Sequence, residues 1–205
     1  MGISERKTKE KQELKALILA AARKLFLERG IAETSIRNIA EAIEYSPATI
    51  YLYYKDKDEI LHDLHNQGFQ ELGDKMRVLL EVSDPFERLK ALGRVYINFG
   101  LQNTEMYDLM FIAKAPMNYI EGLQQSEWQE GKRAFDFLML TVDECIAAGR
   151  FAGHEAGPLS YVIWSCVHGM VALEIRDRCK GISCEDPVLI FRDAFEAFIK
   201  VLESF

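Results

Sequence analysis

Proline is scarce in this 205-residue chain, with five copies, and glycine is not clustered. That composition excludes collagen-like, low-complexity and turn-dense all-β chains. Cysteine is also scarce. Its four copies, Cys145, Cys166, Cys179 and Cys184, have no C-x-x-C spacing, which argues against a zinc site or a disulfide framework. Reduced thiols in a cytoplasmic protein are expected, with Cys145 and Cys166 on apolar helical patterns. No uninterrupted apolar run reaches the roughly 18–20 residues of a membrane span. The most apolar stretch, Leu159 to Leu173, is broken by Ser160, Ser165 and His168 and reads as a buried helix, so no membrane partner is expected. The N-terminal MGISERKTKEKQELK is charged with no apolar run behind it, so no secretory leader is expected. There is no glycine-rich phosphate loop, no G-x-S-x-G and no H-E-x-x-H, and no cofactor is implied.

Positive charge is in deficit overall: 25 Lys and Arg against 32 Asp and Glu leave −7. The deficit is uneven. Residues 1–57 hold eleven basic and eight acidic side chains, a local balance of +3, while the remainder stands at −10. Arg6, Lys7, Lys9, Lys11 and Lys15 crowd the N-terminus. Phosphate contacts require only a local basic face, so overall acidity does not exclude a nucleic-acid partner.

What is present is helical periodicity from end to end. A first helix is expected from about Lys9 to Arg29, with Leu14, Leu17, Ile18, Ala21, Leu25 and Phe26 on one face and Gly30 closing it. Asp56 caps a long helix from Lys57 to about Glu81. Ser83-Asp84-Pro85 starts the next, carrying Phe86, Leu89, Leu92, Val95, Tyr96 and Phe99. A short helix is expected over Glu105 to Ala113, a loop around Pro116, and a long helix from Leu123 to Ala148 ended by Gly149. Gly157-Pro158 and Asp186-Pro187 open the last two, running to about Lys180 and Glu203. Both are apolar around more than one face, the first through Tyr161, Val162, Trp164, Val167, Val171 and Ile175, the second through Val188, Ile190, Phe191, Phe195, Phe198 and Leu202. That excess predicts a homodimer through a four-helix bundle.

The segment from Thr34 to Lys57 carries the functional signal. Ile36, Ile39, Ala40 and Ile43 recur at helical spacing. Glu44-Tyr45-Ser46 forms a turn, and Ser46-Pro47 is a helix start: serine can cap, and proline suits the first helical position. The second piece, to Tyr54, buries Ile50 and Tyr54 and turns Ala48, Thr49, Tyr51 and Tyr53 outward. Two short helices across such a turn make a helix-turn-helix, whose second helix can enter a major groove.

This segment, with the helix before it, resembles the DNA-binding motif of TetR-family transcriptional regulators. Thr34 or Ser35 opens the motif, Ile39-Ala40 match its buried pair, and Ser46, Thr49, Tyr51 and Lys57 match their positions. Trp164-x-x-x-His168-Gly169 is similar to the signature of the WHG type of C-terminal domain. Three positions depart from the pattern: Glu44 and Ala48 replace glycines, and Tyr53-Tyr54 replaces His-Phe. If position 44 requires a positive φ, glutamate there costs on the order of 1 kcal/mol.

The resemblance implies an all-α protein: a helix-turn-helix DNA-binding domain over 1–58 and a helical effector-binding and dimerisation domain over 59–205. It implies a ligand-responsive regulator, a repressor by the family's usual mode, with a palindromic double-stranded DNA operator and a small-molecule effector as partners. Base readout is expected from Tyr45, Ala48, Thr49 and Arg37. Phosphate contacts are expected from Thr34 or Ser35, Ser46, Tyr51, Tyr53 and Lys57. An apolar or aromatic effector is expected among Tyr96, Phe99, Tyr107, Met110, Phe111, Met117, Trp128, Phe135, Met139, Trp164 and His168, since small-molecule pockets are lined by such side chains. The competing readings are a helical interaction module without DNA binding and a helical enzyme. The latter has only His62-Asp63-x-His65 as a superficial metal motif, with no further ligand in pattern.

Overall fold

The computed structural model describes residues 2–113, 129–178 and 187–204. Every regular element among them is helical. The chain divides into two compact units, one of residues 2–68 and 108–113, the other of Phe69–Tyr107, 129–178 and 187–204. The division falls inside a helix, ten residues beyond the expected boundary at 58/59.

In the first unit, α1 spans Ile3–Arg29, α2 Ile36–Ala42 and α3 Pro47–Ile50. Helix α1 begins six residues earlier than its apolar pattern. Exposed i,i+4 pairs favour helix there: Arg6 with Glu10 at 2.8 Å and Lys9 with Glu13 at 3.8 Å. Its core face is Ile18, Ala22, Leu25 and Phe26. Leu17, expected on that face, is exposed, because the packed stripe runs through Ala22 instead. Gly30, at φ 83°, ends the helix as expected.

Helix α4, Lys57–Arg77, starts in the first unit and ends in the second. Asp56 Oδ1 accepts from Glu59 N at 3.0 Å, the expected cap. The helix stops short of Glu81, and Val78–Glu81 tighten into a 3₁₀ turn.

The second unit is organised around α5, Pro85–Gln102. Asp84 caps it, its Oδ1 accepting from Phe86 N and Glu87 N at 2.8 Å each, with Pro85 at the first helical position. Next come α6 (Thr104–Phe111), whose residues after Tyr107 belong to the first unit, then α7 (Gln129–Ala147), α8 (Ala156–Ile175) and α9 (Pro187–Glu203). Helices α7 and α8 both pack on α5 and on each other, and α9 packs on α8. Contact is closest at Gly100, where an added Cβ would lie 2.5 Å from Val171 Cγ1 and 3.1 Å from the Tyr107 ring. Arg88 is buried, its guanidinium donating to Val82 O from Nη2 at 2.8 Å and pairing with Glu144.

Helix α8 departs from the expected buried helix. It is long and apolar enough to cross a membrane, with mean hydropathy 1.3 over its most apolar window, yet only 22% of that window is buried within the chain. One stripe, Ser160, Ile163, Val167 and Val171, faces the core. Tyr161, Val162 and Leu173 lie exposed. The Val188 and Ile190 side chains of the expected dimer face lie outside the described residues, as do Cys179 and Cys184.

Candidate nucleic-acid interface

Local caps define the α2–turn–α3 unit. Ser35 Oγ accepts from Asn38 N at 3.2 Å, and Ser35 N donates in return to Asn38 Oδ1 at 2.9 Å. This is a capping box with asparagine where Glu or Gln is usual. At the other end, Glu44 adopts φ 59°. Tyr45 N donates to Ala40 O at 2.9 Å and Glu44 N to Glu41 O at 3.2 Å. These two bonds are the 6→1 and 5→2 pair of a Schellman motif, normally closed by glycine. The position therefore does require the left-handed backbone, and glutamate carries the strain. Ser46 Oγ then accepts from Thr49 N at 3.2 Å, capping α3 ahead of Pro47.

Two polar clusters hold this unit to its neighbours. Thr34, 1% exposed, donates its hydroxyl to Gly30 O at 2.9 Å and Leu25 O at 3.2 Å, satisfying carbonyls at the end of α1. The Lys57 ammonium donates to Ile31 O at 2.8 Å and Thr34 O at 3.1 Å. In the second cluster the buried Tyr54 donates its hydroxyl to Asp63 Oδ2 at 3.0 Å, and Lys15 Nζ meets the same oxygen at 2.7 Å while lying 5.0 Å from the Tyr54 ring centre. Burial, reinforced by Asp63, pushes the Tyr54 phenol well above its ordinary range, so it stays a neutral donor.

The expected DNA contacts thus separate. Thr34 points inward, and the Lys57 ammonium is engaged by carbonyls of the α1–α2 connection; both tie down that connection, because backbone carbonyls taken from water need donors. Ser35, Arg37, Tyr45, Ser46, Ala48 and Tyr51 are exposed on the α2–α3 surface, with Thr49 and Tyr53 half-buried. Arg37 pairs with Glu41 at 3.6 Å, but both side chains are largely exposed, so the pair is weak and the guanidinium remains available. Leu52, not among the expected contacts, is 77% exposed. It lies in the turn after α3, two residues past the buried Ile50. The basic N-terminal cluster lies on exposed α1, with Arg6 and Lys9 partly offset by Glu10 and Glu13.

The other candidates are dispersed. Tyr96, Tyr107, Trp164 and His168 form a hydrogen-bonded cluster in the second unit. His168 Nδ1 lies 2.8 Å from Tyr96 Oη and 2.7 Å from Tyr107 Oη, Tyr107 Oη donates to His168 O at 3.1 Å, and Trp164 Nε1 donates to Tyr96 Oη at 3.2 Å. Phe135 meets Trp164 edge-on, with ring centres 6.1 Å apart. Burial, then Arg176, lowers the His168 pKa, favouring the neutral ring. Phe99 is buried in α5 and Met139 half-buried in α7. Met110 and Phe111 belong to the first unit, and Met117 and Trp128 lie outside the described residues.

A separate cleft of about 460 Å³ opens in the second unit, floored by Phe69, Met76 and Phe137 and rimmed by Arg77 and Arg133. None of its lining residues was among the expected effector contacts. His65, the centre of the superficial metal motif, is fully buried. Burial, then His62, lowers its pKa to about 4, against bonds to the Met110 backbone and Asn66 that raise it. Among the described residues no three His, Cys, Asp or Glu side chains cluster.

Comparison with known proteins agrees with this geometry. Residues 18–64 match the model of bacterial regulatory proteins of the tetR family, and residues 89–198 match the tetracyclin repressor-like C-terminal domain. The chain is 25% identical over 151 residues to the transcriptional regulator AcrR of Shigella flexneri, covering 70% of this chain and 69% of that one. It is 36% identical over 93 residues to TtgR of Pseudomonas putida, covering 45% of this chain and 44% of that one. The fold is similar to that of the fatty acid degradation regulator FadR of Bacillus halodurans, with TM-score 0.72 and 19% identity over 90% of this chain and 94% of that one. The second family match alone spans more than half of the 205 residues, and the helix-turn-helix match covers the caps and turn described above. The chain belongs to the TetR family of bacterial regulatory proteins, a transcriptional regulator with a helix-turn-helix DNA-binding domain and not an enzyme.

Proposed function

We propose that this regulator is a cytoplasmic repressor that binds a palindromic operator as a homodimer and is released by a small apolar or aromatic molecule. The observation that carries the reading is the capped α2–turn–α3 unit, whose surface carries Tyr45, Ala48, Thr49 and Tyr51, with the Ser46–Thr49 cap as the one hydrogen-bonded contact of these side chains among the described residues. In this reading Ser35, Ser46, Tyr51 and Tyr53 hold phosphates while Arg37, Tyr45, Ala48 and Thr49 face base edges. The uncovered apolar surface of α8, Tyr161 and Val162 above all, supports a second copy of the chain as partner. Two-fold symmetry of the protein is then mirrored in paired half-sites.

The aromatic cluster of Tyr96, Tyr107, Phe135, Trp164 and His168 supports an effector site in the helical unit, with a planar or greasy ligand competing for its hydrogen bonds. Release requires that the effector bind the DNA-incompetent dimer better than the DNA-bound one. Helix α4, which belongs to both units, is the covalent route for that coupling. The test is a gel shift on DNA upstream of the chain's own gene with excess competitor, followed by titration with apolar and aromatic compounds. Competitor-resistant binding with a symmetric footprint, relieved by a compound, supports the reading. Loss of all binding to competitor sinks it, and a compound that binds tightly without changing DNA affinity sinks the release mechanism.

A further inference from the structure

The base-reading surface has an unusual chemistry. From Glu44 to Tyr54 the run is Glu-Tyr-Ser-Pro-Ala-Thr-Ile-Tyr-Leu-Tyr-Tyr, with no Lys, Arg, Asn, Gln or His. The side chains that read guanine or adenine through two parallel hydrogen bonds are Arg or Lys and Asn or Gln. None is present in the segment that enters the groove. Its short hydroxyls are also engaged. Ser46 Oγ and Thr49 Oγ1 lie 2.9 Å apart, and Ser46 Oγ accepts from Thr49 N. Apart from the phenols of Tyr45, 46% exposed at the lead-in, and Tyr51, 57% exposed, what remains for a base edge is apolar: the methyl group of Thr49, the Cβ of the exposed Ala48, and Leu52 at 77% exposure.

The major groove offers one apolar group, the C5 methyl of thymine. We infer that α3 and the turn after it read thymine methyl groups through Ala48, Thr49 and Leu52, so that the centre of each operator half-site is thymine-bearing rather than a guanine or cytosine contact. This deepens the DNA-binding reading above and rests on it. Arg37 stands on α2, outside this run, and a guanine that it reads lies at the flank of the half-site. Glu44 and the Tyr45 hydroxyl are the exposed groups in the run that could instead accept from cytosine N4, and the test separates that outcome.

The experiment selects the full-length chain's preferred sites from randomised duplex DNA at fixed salt, then replaces thymine by deoxyuridine in the selected half-site. Each lost methyl is expected to weaken binding about fourfold, the worth of one buried CH₂. Thr49→Ser, which keeps the hydroxyl and its cap, and Leu52→Ala, at an exposed site, are each expected to stop distinguishing thymine from deoxyuridine at one position. Half-sites centred on invariant G·C pairs, or deoxyuridine duplexes bound as tightly as thymine ones, would overturn the inference while leaving the regulator reading intact. Failure to enrich any sequence would overturn both.

Discussion

The Lys57 ammonium donates to the carbonyl oxygen of Thr34 at 3.1 Å, and the Thr34 hydroxyl donates in turn to Gly30 at 2.9 Å. Sequence position marks both residues as phosphate contacts, yet the two act as a brace between the end of α1 and the start of α2. Lys57→Met should therefore cost about 1.5–3 kcal/mol, typical for bonds to a charged donor. Urea denaturation measures that cost. The slope of log affinity against log salt should stay unchanged; a slope reduced by about one would return the ammonium to a phosphate.

Glu44 closes a Schellman motif at φ 59°, where only glycine is free of steric cost. Glu44→Gly should raise stability by roughly 1 kcal/mol, because relief of left-handed strain outweighs the added freedom of the unfolded chain. A lower denaturation midpoint for the variant would mean that the Glu44 side chain makes compensating contacts.

Two helical glycines should respond oppositely to the same substitution. At Gly100 a Cβ would lie 2.5 Å from Val171 Cγ1, so Gly100→Ala should destabilise by about 1–3 kcal/mol through overpacking. At Gly73 in α4 a Cβ would meet nothing within 4 Å, so Gly73→Ala should stabilise by about 0.5–1 kcal/mol through helix propensity. Thermal melts of the two variants check the sign of each.

His65 titrates near pH 4 in the folded chain, below its ordinary value of 6.5. Between those values the unfolded state holds a proton that the folded state lacks, so stability falls as the pH falls through that window. The wild-type chain should lose about 2 kcal/mol between pH 7 and pH 5 from this residue, and His65→Gln should lose correspondingly less. Parallel pH profiles for the two proteins would exclude His65 as the source.

Val162 on α8 is exposed in the single chain. Val162→Asp places a charge on the proposed dimer face and should shift sedimentation from dimer to monomer, with cooperative binding to paired half-sites lost. A variant that stays dimeric would move the interface to another face.

Much of the fold is legible without coordinates because its signals are local. Asp84-Pro85, Asp56 and Ser46-Pro47 start helices through bonds to residues two or three positions away. Gly30 ends α1, and Gly149, the other expected stop, closes α7 through Gly149 N to Ile146 O at 2.9 Å and Arg150 N to Cys145 O at 3.0 Å. The buried Ile39, Ala40, Ile50 and Tyr54 follow from spacing alone. The start of α1 is not legible from apolar periodicity, because exposed ion pairs extend it.

The candidate site divides along the same line. The sequence by itself determined that a capped helix-turn-helix exists and which side of α3 faces outward, since both depend on neighbours within one helical turn. Only the tertiary structure shows the Thr34 hydroxyl and the Lys57 ammonium bonded to backbone carbonyls, because their partners, Leu25 and Ile31, lie 9 and 26 residues away. It alone joined Tyr96, Tyr107 and Trp164 to His168 across as many as 72 positions of chain. It also left Tyr161 and Val162 uncovered, since an apolar pattern records that a face must be buried but not what buries it.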